Sequence, residues 1–335
     1  MDFSRGVNAR KVLEMGGGTL LVSLPKSWAR RNGVKKGATL NVDELSGRKL
    51  LVSPIGETDG KPKEFSIDYT EDGMRQALME LTGAYLLGYD LIRIGGRSIM
   101  GRSERAQVKG TLGRLIGLEI MDEDSKHITV QFLLESSAID PERLVRRMSG
   151  LLEGMMRDLD EAVVDGDGKL FGLVAERDDE VDRLYFLLVR TVRTATLHPE
   201  VAERYGLGPV DVLDYRVLAS FLENVGDALS GLSRTLGKLR LSKKTGAEYS
   251  KCVRMLREME DLATRAFLTR RAASQASAHM RISELSDAIA SAMERIAEGS
   301  GAEGHLHVEA LGTMDRVRKT VVDISDLVST TRLVS

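Results

Sequence analysis

The sequence predicts a multidomain chain: a strand-rich N-terminal segment, a small α/β connector and an all-α C-terminal half. Three observations predict it. Short apolar runs separated by glycine turns fill the first 55 residues, strand-like and helix-like patterns alternate over 65–135, and from Asp140 onward apolar residues recur at helical spacing. With 335 residues the chain is too long for one ordinary core and long enough for two or three domains.

Composition narrows the class. Charged residues make up 29% and apolar residues 42%, the balance of a globular chain rather than a disordered one. No apolar run approaches the ~18 residues of a membrane helix, so no membrane span is expected. Met1-Asp2-Phe3-Ser4-Arg5 lacks the hydrophobic core of a signal peptide. The single cysteine, Cys252, excludes an internal disulfide and any zinc site built on two cysteines of one chain. A cytoplasmic location is the expectation. Aromatics are only 4%, with Trp28 the sole tryptophan, which argues against a base-stacking platform for single strands.

The net charge of -2 is unevenly spread. Residues 1–55 hold ten Lys/Arg against four acids, +6, which leaves -8 on the other 280 residues. A basic head of this kind concentrates phosphate backbones.

Taken in order, Lys11–Met15 and Thr19–Leu24 read as strands split by Gly16-Gly17-Gly18. Pro25 opens a short helix to Asn32, which Gly33 ends. Further strands follow at Thr39–Val42 and Leu50–Pro54. So few residues make a very small core, and self-association is expected. Residues 56–64 are a polar linker. In the connector, strands at Phe65–Tyr69 and Leu91–Ile94, helices at Met74–Leu87 and Glu104–Ile116, and a hairpin of Leu118–Met121 with Ile128–Leu134 are expected. Gly95-Gly96 resembles half a phosphate loop, but no GK[ST] follows and a plain turn is the better reading. In the C-terminal half, Leu144, Met148, Leu151, Leu152, Met155 and Leu159 form the first apolar stripe. Helices are then expected at about 168–197, 209–240, 246–275, 277–298 and 306–330. Six helices with short turns suggest two three-helix units, about 140–241 and 246–332.

Two sets of residues carry chemistry. In the head, Arg10 and Lys11 open a strand, Lys26 sits at a loop, Arg30 and Arg31 share a short helix, and Arg5 precedes them, so several cations can reach phosphates together. The alternative is a head that only dimerises, with its charges solvated. In the body, Asp178 and Asp182 lie four apart on one helix, as do Glu223 and Asp227 on the next. Four carboxylates so gathered suit Mg, Mn, Fe or Zn. Helical projection sets Asp178 and Asp182 beside the Val181/Leu184/Leu188 stripe, and Glu223 and Asp227 opposite the Leu218/Leu222/Val225 stripe. Any site would then lie on the outside of the bundle, and periodicity leaves a metal site and a solvated acidic face equally open.

Family resemblance adds to this. Arg10 to Pro54, with Ser23-Leu24-Pro25-Lys26, the helix carrying Trp28 and the Gly33…Lys36-Gly37 turn, resembles the AbrB/MazE-type (SpoVT-AbrB) domain. That resemblance implies a swapped-hairpin β-barrel closed by two chains, hence a homodimer, and contact with double-stranded DNA. The region from about 140 to 332, with Asp178-Asp179-Glu180-Val181-Asp182 and Leu222-Glu223-Asn224-Val225-Gly226-Asp227, resembles the PhoU family. The resemblance implies a pair of three-helix bundles, a phosphate-responsive regulatory role, divalent or iron/zinc-type ions at these carboxylates, and docking on a phosphate ABC transporter ATPase or a sensor kinase. Head and body together resemble archaeal PhoU-family regulators. Under that reading residues 1–55 form the DNA-binding and dimerisation domain, 65–135 the connector and 140–332 the helical domain.

The second repeat is visible without relatives. Glu180–Leu184 aligns with Leu285–Ile289 at a spacing of 105, and Val225–Leu229 with Ile324–Val328 at 99. Ser283 and Val322 replace the positions of Asp178 and Glu223, leaving Asp287 and Asp326. Elsewhere His305 and His307 lie beside Gly301 and Gly304 in what reads as a loop with no third ligand. No nucleophile elbow, P-loop or dinucleotide fingerprint occurs, and no histidine is near either acidic motif, so the chain is not expected to be an enzyme. The alternative to a DNA-binding regulator is a protein-interaction module that docks through its body without touching DNA.

Overall fold

In a computed structural model the chain divides into two compact units, Met1–Lys61 and Pro62–Ser335. The structure describes residues 9–45, 49–54, 62–70, 73–135, 139–269, 272–298 and 304–330.

In the first unit, β1 (Val12–Met15) and β2 (Thr19–Val22) pair antiparallel, Val12 opposite Val22 and Met15 opposite Thr19. The reversal between them takes Gly17 and Gly18 to φ +93° and +84°, backbone that side chains rarely adopt. The helix α1 (Lys26–Arg31) follows Pro25, and β3 (Leu40–Leu45) pairs with β4 (Lys49–Pro54). The expected barrel is not closed within one chain: the described strands form two separate two-stranded sheets. The reason lies in the side-chain pattern. Val12, Val22 and Leu20 share one face of the first hairpin, and Leu13, Leu21 and Met15 share the other. A hairpin that is apolar on both faces has nothing within its own few residues to cover either. No described residue of this unit is buried, and Leu20 is 68% exposed.

The second unit begins with a four-stranded sheet in the order β5-β6-β8-β7. Here β5 (Glu64–Asp68) runs parallel to β6 (Leu91–Gly95), and β8 (His127–Phe132) runs antiparallel to β6 and to β7 (Leu118–Glu123). Ile67, Ile92, Ile94, Ile128 and Val130 alternate into the core, as period 2 requires, while Ser66 and Arg93 face solvent. The parallel pair is joined through α2 (Met74–Leu86), which packs on β5 and β6; α3 (Arg102–Arg114) packs on α2.

The helices follow: α4 (Pro141–Asp165), α5 (Gly168–Glu176), α6 (Asp178–Leu197), α7 (Pro199–Arg204), α8 (Pro209–Leu236), α9 (Lys243–Thr269), α10 (Ala272–Glu298) and α11 (Gly304–Thr330). Asp140 caps α4 by accepting from the Glu142 N–H at 2.9 Å, and Gly166 ends it at φ +70°. The single helix expected over 168–197 is broken at Arg177, whose guanidinium is drawn to Asp158 at 2.5 Å. The break matters because it makes Asp178, Asp179 and Glu180 the first turn of α6, where carboxylates meet the positive end of the helix dipole.

Packing reproduces the duplication. α6 lies against α4 and α8, and α10 against α9 and α11. The two repeats meet through their equivalent helices, α4 on α9 and α8 on α11. At the first seam α9 buries Glu260 completely. Its carboxyl accepts from Ser149 Oγ of α4 at 3.1 Å and from Thr264 Oγ1 at 2.9 Å. Burial pushes its pKa up to about 7, against these two donors.

The sheet module is fastened to the helices by Arg190 of α6. Its side chain is only 6% exposed. It donates to the carbonyls of Tyr85 and Tyr89 at 2.7 and 2.9 Å and reaches Asp90 Oδ1 at 3.3 Å. The guanidinium also lies 3.8 Å from the centre of the Phe132 ring.

Replacing Arg190 with alanine removes these hydrogen bonds and the ring contact from the interior, and urea denaturation is expected to show a loss of about 3–5 kcal/mol. A carboxyl whose folded pKa lies above its unfolded value favours folding at low pH and loses that contribution as pH rises through the folded pKa. Glu260→Gln is therefore expected to be more stable than the parent above pH 7, by roughly 3 kcal/mol, with the difference vanishing towards pH 5. Paired melts across that range measure it.

Candidate functional site

The four predicted carboxylates converge. Asp178 and Asp182, on the first two turns of α6, face Glu223 and Asp227 on α8. One oxygen each from Asp178, Asp182 and Asp227 lies within 4.8 Å of the other two. Glu223 stands beside this trio, close enough that the charges of Asp227 and Asp182 act on it.

What permits the convergence is Gly226. A Cβ there would meet Asp178 Oδ1 at 3.0 Å and Val181 Cγ1 at 3.1 Å, tighter than ordinary van der Waals contact, so any side chain would press on both residues. Asp227 is exposed, as expected of a position opposite the core stripe, while Glu223, Asp178 and Asp182 are half-buried. The cluster sits on the shoulder of the α6–α8 contact.

Crowding shows in the electrostatics. The Asp178 carboxyl is pushed up to about 7 by burial first, then by the charges of Asp227 and Asp182 and a hydrogen bond to Asp227. Glu223 is pushed up to about 7 by burial, Asp227 and Asp182, with Arg216 opposing. Asp178 Oδ1 is buried with no hydrogen-bond partner among the described residues. An all-oxygen set with one orphaned atom fits a hard or borderline cation such as Mg, Mn, Fe or Zn. A cation bound there would replace mutual repulsion with attraction.

Sequence reasoning missed two participants. One is Gly226. The other is Arg114, at the end of α3, whose guanidinium is ion-paired with Asp182. It comes from the sheet module, 68 residues earlier, and no local pattern announces it.

In the second repeat Asp287 and Asp326 are exposed, and Ser325 occupies the place of Gly226, sharing a hydrogen bond of 3.0 Å with His279 Nδ1. No second group of three acidic ligands occurs among the described residues. His305 and His307 prove to lie in the first turn of α11 rather than in a loop. His305 points to solvent, while His307 is buried and hydrogen-bonded to the Tyr249 hydroxyl at 2.9 Å, so the two do not converge on a ligand.

In the first unit Arg10, Lys11, Lys26, Arg30 and Arg31 are all exposed, and none is paired with a carboxylate among the described residues. Arg5 lies outside the described residues. Trp28 is half-buried.

Gly226→Ala is expected to press on Asp178 and Val181, costing about 1–3 kcal/mol in a denaturant melt. Asp178→Asn removes a crowded charge without adding volume. It is expected to raise the melting temperature of metal-free protein above pH 7 and to leave it unchanged near pH 4.

Comparison with known proteins agrees with this geometry. Residues 145–235, spanning most of α4 through α8 and all four carboxylates, match the model of the PhoU domain. Residues 15–59 match the model of MazE, described as a bacterial antitoxin for antidote–toxin recognition; the matched span includes Lys26, Arg30 and Arg31 but begins after Arg10 and Lys11. PhoU from Pseudomonas aeruginosa superposes with a TM-score of 0.47 and 18% identity, covering 58% of this chain and 95% of its own. The phosphate transport system regulatory protein PhoU from Streptococcus pneumoniae gives 0.47 and 16%, with 58% and 96% covered. No curated protein sequence matches significantly. No described helix is long and apolar enough to cross a membrane. One chain thus carries a MazE-like antitoxin segment at its head and a PhoU-like domain in the first repeat of its helical body.

Proposed function

We propose that the chain is a phosphate-responsive regulator that works as a homodimer. Its N-terminal units pair and clasp duplex DNA, 65–135 acts as connector, and the helical body at 140–332 receives the signal. The observation that carries this reading is a cationic head with no core of its own. Both faces of its first hairpin are apolar and open, and Val12, Leu13 and Val22 are each more than half exposed. A second copy of the same unit supplies the missing apolar surface. Pairing also doubles the number of exposed cations on one small body, which favours phosphate backbones. The contacts fall to Arg10, Lys11, Lys26, Arg30 and Arg31, with Arg5 extending them.

The body's input is a divalent or iron/zinc-type cation held by Asp178, Asp182, Glu223 and Asp227. When bound, it supplies electrostatic cross-linking of α6 to α8 rather than chemistry on a substrate. A phosphate ABC transporter ATPase or a sensor kinase is the partner class for the body.

A second reading is favoured by the description of the MazE model, which names recognition of a toxin. In it the head is a protein-binding dimer and DNA is not a ligand.

Titration of full-length protein against a labelled duplex across a salt series separates the two. The first reading expects binding whose log–log salt slope flattens by about 0.9 for each phosphate that is no longer neutralised, so Arg30→Ala/Arg31→Ala weakens binding and flattens the slope together. Equal affinity for variant and parent, or no binding at low salt, leaves the protein-binding reading standing. Elemental analysis of the purified protein beside Glu223→Ala/Asp227→Ala tests the body, and equal metal content removes the cation from the scheme.

A further inference from the structure

The acidic cluster already contains a cation of its own chain. Arg114, the last residue of α3, pairs its Nη2 with Asp182 Oδ2. Its guanidinium lies over the Phe186 ring, 5.7 Å from the centroid. Phe186 is one turn beyond Asp182 on α6, so both contacts are made to one helical face. The pair is unequal: the Asp182 side chain is 16% exposed and that of Arg114 is 54% exposed. The anion is held in place by its helix, while the cation is half in water. Its position in the last turn of α3 also gives it a favourable interaction with the helix dipole that does not depend on Asp182.

The residues on either side of it in the chain, Gly113 and Leu115, border open space. A groove of about 450 Å³ runs between α3, β7 and α6, lined by Lys109, Gly113, Ile120 and Arg183 among others. A second attachment of the sheet module to α6 is the buried Arg190, eight residues from Asp182, or about 12 Å along the helix, and beyond it Lys63 Nζ lies 3.0 Å from Nε2 of His198 at the end of α6. Arg190 is deeply seated and Arg114 is half solvated. That is the arrangement of a pivot and a catch.

We propose that Arg114 is a tethered counter-ion of the acidic cluster, and that a divalent cation taken up by Asp178, Asp182 and Asp227 expels it, freeing the α3 end of the sheet module to swing about Arg190. The proposal rests on reading the cluster as a cation site, and it names how occupancy there is passed to the connector. The exchange follows from charge. The guanidinium and the incoming ion compete for the Asp182 carboxylate, because a +1 and a +2 charge on one carboxylate repel. The ion satisfies three carboxylates where Arg114 satisfies one. By linkage, whatever holds α3 down weakens cation binding, and cation binding weakens the hold on α3 by the same factor.

Calorimetric titration with Mn²⁺ and hydrogen exchange over residues 102–116, both on the full chain, test this. In the parent protein Mn²⁺ is expected to speed exchange in α3 while residues around Tyr85 and Arg190 stay protected. Arg114→Gln is expected to bind Mn²⁺ roughly five- to tenfold more tightly, with α3 exchanging fast whether or not Mn²⁺ is present. Phe186→Leu, which removes the ring platform but keeps both charges, is expected to shift both readouts the same way by less. Parent-like Mn²⁺ affinity in Arg114→Gln, or α3 exchange in the parent that ignores Mn²⁺, overturns the counter-ion while leaving the cation site intact. If neither protein binds Mn²⁺ and both match Asp178→Asn, the cation reading fails and the proposal with it.

Discussion

The close approach of α6 to α8 shapes the acidic cluster. At the contact lies a residue without a side chain, Gly226, against which Asp178 and Val181 pack. A larger residue there would press on both side chains. Because the helices touch, charges are forced together on a half-buried shoulder, and two of the four acids are pushed to pKa values near neutrality. Such crowding is unfavourable unless a cation offsets it. The chain provides one in Arg114, and the donor set fits another.

A similar economy of contacts explains the two units. The second has a continuous core running from the sheet through the helices, closed by a buried arginine that donates to the Tyr85 and Tyr89 carbonyls, which no apolar residue could do. The first unit has two hairpins, and none of its described residues is buried. A short hairpin stabilises itself poorly when its apolar side chains remain in water. The open apolar faces are thus a property of its strand pattern.

Duplication and divergence can be read at the level of atoms. The two repeats place equivalent helices against each other, yet only the first keeps its acidic trio among the described residues. In the second, Ser283, Val322 and Ser325 stand where Asp178, Glu223 and Gly226 stand. Loss of the glycine and loss of two acids belong together, since without close approach there is no cluster to maintain. The matched PhoU span covers the first repeat alone, in keeping with this asymmetry.

Much of this was present in the linear chain. Glycine turns and alternation specified the hairpins, the 3.6-residue stripes specified the helices, and the spacing of Asp178 with Asp182 and of Glu223 with Asp227 identified the acids that meet. These are local properties, set within one or two turns of backbone. The sequence could not show the ion pair of Arg177, at the junction of α5 and α6, because it joins that residue to a different helix. Nor could it show that Glu223 and Asp227 meet Asp178 and Asp182, because helical projection knows the core stripe but not how closely a neighbour approaches. Arg114 was invisible for the same reason: its partner lies 68 residues away, and charge complementarity across such a distance leaves no period in the chain. Local backbone chemistry chose the elements, and only tertiary packing decided which charges became neighbours.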